Sequence, residues 1–290
     1  MKIDVGPLLV KPKEAVSLGD RPTRIDPIYA SKDDYARTLA HHVERLEALH
    51  GRLYASAHHA VLVILQGMDS AGKDGAIKHV MTGVNPQGCK VISFKTPTER
   101  EARHDFLWRA ALELPERGAI AIFNRSYYEA VLVERVHPEV LAAEGVTVAN
   151  RDLELLFDAR LRSIRDFERH LVENGAAIVK IFLHISKEEQ RKRLLARVND
   201  PDKSWKATAS DASERKLWKS YRKAYETMLG ATSTEAAPWR VVPADDKLNA
   251  RLLVSEILID ALERLDLATP PPTAERKREL DEIRAALEHE

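Results

Sequence analysis

Cysteine is almost missing from this chain. Cys89 stands alone among 290 residues, so no internal disulfide can form and no cysteine cluster exists to hold zinc or an iron-sulfur centre. That usage suits a reducing compartment. Long apolar runs are missing too: nothing approaches the roughly 18 residues that span a bilayer. The opening MKIDVGPLLVKPKEAV breaks its short apolar run with lysines and prolines, which does not fit the core of a signal peptide. A cytoplasmic protein with no membrane partner is expected. Net charge is the third absence. Lys and Arg number 45, as do Asp and Glu, so no global field steers the molecule toward a polyanion. Any anionic ligand has to be attracted by a local arrangement. The 11 histidines are scattered, and the pairs His41/His42 and His58/His59 have no metal-binding spacing.

What the chain does have is an alternation of elements. With 44% apolar residues, a chain of this length can build one large core. Residues 1–30 are rich in Pro, Gly and charge and predict an irregular arm. A long helix is expected from about Asp33 to Ser56, where Tyr35, Leu39, His42, Val43, Leu46 and Leu49 recur near a helical period. AVLVILQ (60–66) is a continuous run rich in β-branched residues, as for a strand covered on both faces, and DGAIKHVMTGV reads as a helix ending near Gly83. CKVISFK (89–95) is a second strand, 98–114 a helix, GAIAIFNRS (118–126) a third strand, 151–173 a helix, AAIVKIFLHIS (176–186) a fourth strand and WRVVPAD (239–245) a short fifth. This order predicts an α/β fold with a central five-stranded parallel sheet flanked by helices. No clean linker interrupts it, so one domain is expected over 31–265. Residues 266–290 form a charged tail whose AERKRELDEIRAALEHE predicts a solvated helix or a subunit contact.

Two helical segments stand apart. The first starts at SKEE, where Ser186 can cap and Glu189 can close a capping box, and runs to about Val198. The second starts near Asp211 and continues to about Leu229. Together they predict a helical hairpin, residues 187–229, inserted between strands four and five. Between Lys187 and Lys223 lie 12 Lys or Arg against 6 Asp or Glu, the positive excess that the balanced total conceals. Lys216, Lys219 and Lys223 put like charges on one helix face, which costs stability unless an anion is present. Trp205, Trp218, Tyr221 and Tyr225 read as core anchors of the hairpin rather than as base-stacking residues.

The chemistry concentrates in GMDSAGKDG, where Gly67, Gly72 and Lys73 fit G-x-x-x-x-G-K between a buried strand and a helix. Glycines let the backbone of Gly67, Met68, Ser70, Ala71, Gly72 and Gly75 curl so that N–H groups point at phosphate oxygens, the helix adds its positive end, and Lys73 reaches the outer phosphates. Asp74 stands where a magnesium-holding Ser or Thr is usual. Asp69 lies inside the loop, where it would repel polyphosphate unless a cation intervened, so it argues for magnesium. In FNRSYYEAVLVERV, Arg125 at a strand's carboxyl end is placed to offer a guanidinium fork to a transferring phosphoryl group. Glu129 and Glu134 follow along the next segment.

GMDSAGKDG, GVNPQG, SFKTPTERE with DFLWR, FNRSYYE, FLHISKEEQRKR and TSTEAAPW together resemble the polyphosphate kinase 2 family over about residues 35–265. These are P-loop kinases that transfer phosphoryl groups between inorganic polyphosphate and nucleotides. The resemblance implies that Asp69 is a magnesium and catalytic residue beside Lys73 and Arg125. It also implies that the hairpin is a basic lid, with Arg191, Lys206 and Lys216 as its polyphosphate contacts and Lys78 as another. Asn124 replaces an aspartate found in many members, leaving Glu129 to substitute as a metal contact, with Glu134 a further candidate. The Asn form resembles the subgroup that accepts both nucleoside monophosphates and diphosphates, and a homodimer or homotetramer is implied. From residues alone, an ATP-dependent nucleotide kinase is the nearest alternative. A nucleic-acid-binding module has the neutral total charge against it, and a nucleotide-controlled switch would bind without turnover.

Overall fold

The computed structural model describes residues 2–146, 152–269 and 271–289, and for Lys206 the backbone alone. Ala60–Gly67 (β1), Cys89–Ser93 (β2), Ile120–Asn124 (β3), Ala176–His184 (β4) and Trp239–Pro243 (β5) form a parallel sheet of order β2-β3-β1-β4-β5. The expected five-stranded parallel architecture is therefore present. Every residue of the central β1 is buried, which is why its sequence is continuously apolar from Ala60 to Leu65 rather than alternating. Val61, Val63 and Leu65 enter one core, and Leu62 and Ile64 enter the other.

The first core is closed by helices Lys32–Ser56 (α1), Lys73–Val80 (α2) and Lys247–Glu263 (α10). The second is closed by Glu129–Val136 (α5), Leu153–Glu173 (α6) and Trp218–Thr232 (α9). Lys187–Asn199 (α7) and Ala209–Glu214 (α8) belong to the hairpin between β4 and β5, while Ala274–Glu288 (α11) follows the body and buries no residue.

Several expected elements are redrawn. The helix expected over 98–114 is two short ones, Glu99–Ala102 (α3) and Trp108–Ala111 (α4). Between them the Asp105 carboxylate accepts the Leu107 N–H at 2.9 Å, a local turn that competes with helix continuation. The helix after the phosphate loop ends at Val80 rather than near Gly83. The second hairpin helix starts at Ala209, where the Thr208 N–H donates to Asp211, and a 3-10 turn at Arg215–Leu217 divides it. Ser186 caps α7 as expected, but Glu189 turns to Arg193 instead of closing the box.

The arm is irregular yet packed. Leu9 bridges Arg240 in antiparallel fashion, the Val10 N–H donates to the Trp239 carbonyl at 2.9 Å, and Val10 and Leu18 are buried. It therefore covers the β5 edge of the sheet.

Candidate active site

β1 and β3 are neighbours whose following connections leave in opposite directions, toward β2 and toward β4. In open parallel sheets that is where ligands bind. At the end of β1, a side chain on Gly67 would meet the Leu183 carbonyl at 2.9 Å and Ala71 at 3.1 Å, so only glycine lets the loop lie flush against β4. Gly72 has φ 107° and opens α2. Lys73, 8% exposed, folds back so that its amine donates to the Gly67 carbonyl at 2.6 Å. Burial, followed by the nearby Arg125 charge, pulls its pKa from 10.5 down to about 8.

Arg125 leaves β3 with φ 64°. A left-handed non-glycine residue costs on the order of 1–3 kcal/mol and persists only where the surroundings enforce it. Its N–H donates to the Leu65 carbonyl at 3.1 Å, and its guanidinium donates to Asp69 at 3.0 Å and lies 3.6 Å from Glu129. Glu129 leads in raising the arginine's pKa, against burial and with help from Asp69. Glu129 also accepts from the buried Gln66 at 3.2 Å, and the Asn124 amide donates to Asp74 at 2.7 Å. Asp69, Lys73, Asp74, Asn124, Arg125 and Glu129 thus converge.

Glu134 does not join them. It is buried in an ion pair with Arg160 of α6, which also binds Glu144 at 3.2 Å. Burial lifts the Glu134 pKa to about 7. One helical turn and a third separate it from Glu129, enough to aim it at a different neighbour.

Two cavities meet at this cluster and share Asp69, Thr96 and Arg125. The larger, about 890 Å³, holds the loop residues Asp69 to Gly75 and nine Lys or Arg against three Asp; Lys78, Lys95, Lys203, Lys247 and Arg251 lie along it. The smaller, about 370 Å³, contains Gly67 and Met68 and is lined by Trp218, Tyr221 and Tyr225, with Asp211 and Glu214. One suits a polyanion and the other a partly aromatic ligand. Tyr225 is a core residue, as expected, but all three aromatics also face this cavity. Trp205 is not a core anchor, being 75% exposed.

The hairpin residues that touch the loop are not the ones singled out from sequence. Gln190 donates to the Asp69 carbonyl at 3.2 Å, Arg193 to the carbonyls of Ser70 and Ala71 at 3.1 and 2.9 Å, and Arg197 to the Ser70 hydroxyl at 2.8 Å. Their spacing of three and four is one face of α7, and Arg191 is exposed on another. Lys216 is also exposed, while its neighbour Arg215 binds the Lys187 carbonyl at 2.7 Å. The Lys206 side chain lies outside the described residues.

Among the described residues no group of three or more His, Cys, Asp or Glu forms a preformed metal cage. The carboxylates of Asp69 and Glu129 and the amide of Asn124 are nevertheless hard oxygen donors beside a phosphate loop. Magnesium typically takes one or two carboxylates and completes its shell with water and substrate phosphates, so the residues present fit it.

A parallel sheet of this order, a phosphate loop after its central strand and an arginine fork on the adjoining strand define a P-loop phosphotransferase. Residues 29–270 match the model of the polyphosphate kinase 2 (PPK2) family, and the chain belongs to that family. It is 52% identical over 99% of both chains to an ADP-polyphosphate phosphotransferase of Rhodopseudomonas palustris. It is 47% identical to an AMP/ADP-polyphosphate phosphotransferase of Meiothermus ruber, covering 80% of this chain and 83% of the relative. The crystal structure of polyphosphate kinase 2 from Arthrobacter aurescens is similar with a TM-score of 0.84 at 39% identity, covering 95% of both chains. The protein is a polyphosphate:nucleotide phosphotransferase.

Proposed function

We propose that inorganic polyphosphate lies in the larger, basic cavity and a nucleotide in the smaller one, and that AMP and ADP are both accepted in a reversible transfer. The observation that carries this reading is the meeting of the two cavities at Asp69 and Arg125. A donor end and an acceptor phosphate would face one another there. Phosphoryl transfer asks the protein for alignment and charge neutralisation rather than covalent chemistry. The loop amides and Lys73 hold the donor phosphates, and the Arg125 fork takes the oxygens of the group in transit. Asp69, with Glu129 and Asn124, would hold magnesium, which when bound neutralises charge on the phosphate oxygens. The acceptor phosphate is already anionic at about pH 7, so no strong general base is required. His137, which lines the smaller cavity, is instead engaged with Glu214 and Glu139.

Acceptance of both nucleotides is supported by Asn124 and by the name of the Meiothermus ruber relative, while the Rhodopseudomonas palustris relative is named for ADP alone. Donation by ATP is the competing reading. It would call for a base pocket on the donor side, where lysines and arginines dominate instead. Nine Lys or Arg line this one cavity beside the phosphate loop, and the neutral total charge counts against a nucleic-acid partner. The division into an arm (1–30), a kinase domain (31–265, with the lid at 187–229) and a tail (266–290) completes the proposal, together with a homodimer or homotetramer in the cytoplasm. The lone Cys89 supports that setting, and no helix among the described residues is long and apolar enough to cross a membrane.

The test incubates the protein with magnesium and long-chain polyphosphate and offers AMP, ADP, GMP and GDP separately. AMP is expected to become ADP and then ATP, and chelation of the metal is expected to abolish both steps. Turnover with ATP as donor but none with polyphosphate would sink the reading.

A further inference from the structure

Behind the Arg125 turn lies a charged network that touches neither cavity. Lys180 sits mid-sheet, opposite Ile64 of β1 and Trp239 of β5. It is fully buried, and Glu168 of α6 is 1% exposed. The Lys180 amine donates to Glu168 at 2.6 Å, to the Thr232 carbonyl at 2.6 Å and to the Tyr128 hydroxyl at 3.1 Å, so all three of its protons are placed. The other Glu168 oxygen accepts from the hydroxyls of Tyr127 at 2.9 Å and Tyr128 at 2.8 Å.

Well-packed apolar residues can stabilise a core as well as a buried ion pair does, so these charges call for a reason beyond packing. The geometry supplies one. Consecutive side chains of a strand point to opposite faces, yet Tyr127 and Tyr128 reach the same carboxylate oxygen, which requires the chain to turn there. That turn begins at Arg125, with φ 64°. It is braced from the other side by Ser126, whose hydroxyl accepts the Tyr128 N–H at 3.2 Å and a Gln66 amide proton at 3.3 Å.

We propose that the Lys180–Glu168 pair is a positioning device which, through the two tyrosine hydroxyls, holds the turn that aims Arg125 between the cavities. The proposal rests on the reading of Arg125 as the group that takes the phosphoryl oxygens. It makes Glu168, Lys180, Tyr127 and Tyr128 positioning residues, since none of them lines either cavity.

The test removes the hydroxyls and keeps the rings. Tyr127→Phe with Tyr128→Phe is expected to lower kcat with polyphosphate and ADP by about tenfold or more, the scale of a displaced catalytic group, while the KM for polyphosphate stays within about twofold. The single changes are expected to show the same split at smaller size. In an Arg125→Lys background the double change should lower kcat by less than about twofold, because the group being positioned is already gone. Ser255→Ala, which removes the 2.7 Å hydrogen bond to His42 between α1 and α10, is the control: Tm falls and kcat does not. An unchanged kcat in the tyrosine variants, an equal loss in both backgrounds, or an equal loss in Ser255→Ala would each overturn the proposal. Full activity in Arg125→Lys alone would instead remove the reading of Arg125 on which it stands.

Discussion

Arg193 ties separate stretches of backbone together with one guanidinium. It donates to Ser70 and Ala71 of the phosphate loop and to Ala244 and Asp245 after β5, and its Nε binds Glu189 at 2.9 Å. A lysine there keeps the charge but cannot reproduce the fork. Arg193→Lys is therefore expected to cost about 1–3 kcal/mol, since it leaves buried carbonyls unpaired, and to raise the KM for polyphosphate by loosening the loop. Urea denaturation and steady-state kinetics check both, with Arg191→Ala, two residues away and exposed, expected to change neither. The contrast also explains what could be read from the chain. Lys73, Asp69 and Arg125 were legible because motif spacing fixes them relative to a strand end. Within EEQRKRLLAR the helical period sorts the residues into faces, but nothing local says which face meets the loop. Glu134 failed for the same reason: being on the segment after Arg125 does not say toward which neighbour it points.

At the scale of elements, strand positions were legible because continuous apolar runs and glycine turns bound them. The hidden helix is α10, of which Asn249, Ala250, Leu252 to Ile259 and Leu262 are all buried. Its apolar residues fall all around the helix, interrupted by the buried Asn249, Ser255 and Glu256, so no single face shows, and faces are what periodicity detects. The lid depends on a contact that crosses elements. His137, at the end of α5, lies 3.0 Å from Glu214 of the lid and 3.0 Å from Glu139, and Tyr221 donates to the same Glu214 at 2.7 Å. The hydrogen bond to Glu214, chiefly, raises the His137 pKa above its ordinary 6.5. A histidine whose folded pKa is raised contributes stability that is full below the unfolded value and is lost as pH rises through the folded one. The lid is thus expected to loosen above pH 6.5. Limited proteolysis of the 200–208 loop should accelerate relative to a His137→Asn variant held at the same pH, so that the protease's own pH dependence cancels. A constant ratio between the two proteins from pH 6 to 9 would remove the latch.

At the scale of the whole molecule, the two ends of the chain look alike in sequence, each rich in proline and charge, and behave differently in space. The arm caps the β5 edge, buries Val10 and Leu18, and supplies the Leu18 carbonyl that lies 3.0 Å from His184. The tail helix α11 buries nothing and lies beyond the matched family segment, which ends at residue 270. Composition could not separate them, because the difference rests on PLLV meeting a particular strand edge. Burying two aliphatic side chains contributes about 3–6 kcal/mol, a large share of the roughly 5–15 kcal/mol that holds a domain folded. An uncovered edge strand also invites pairing with another chain. Deleting residues 1–24 is therefore expected to lower Tm sharply and produce light-scattering aggregates. Deleting 271–290 should leave Tm and turnover unchanged. A tail deletion that lowers turnover without lowering Tm would show α11 acting on the reaction through a contact outside this single chain.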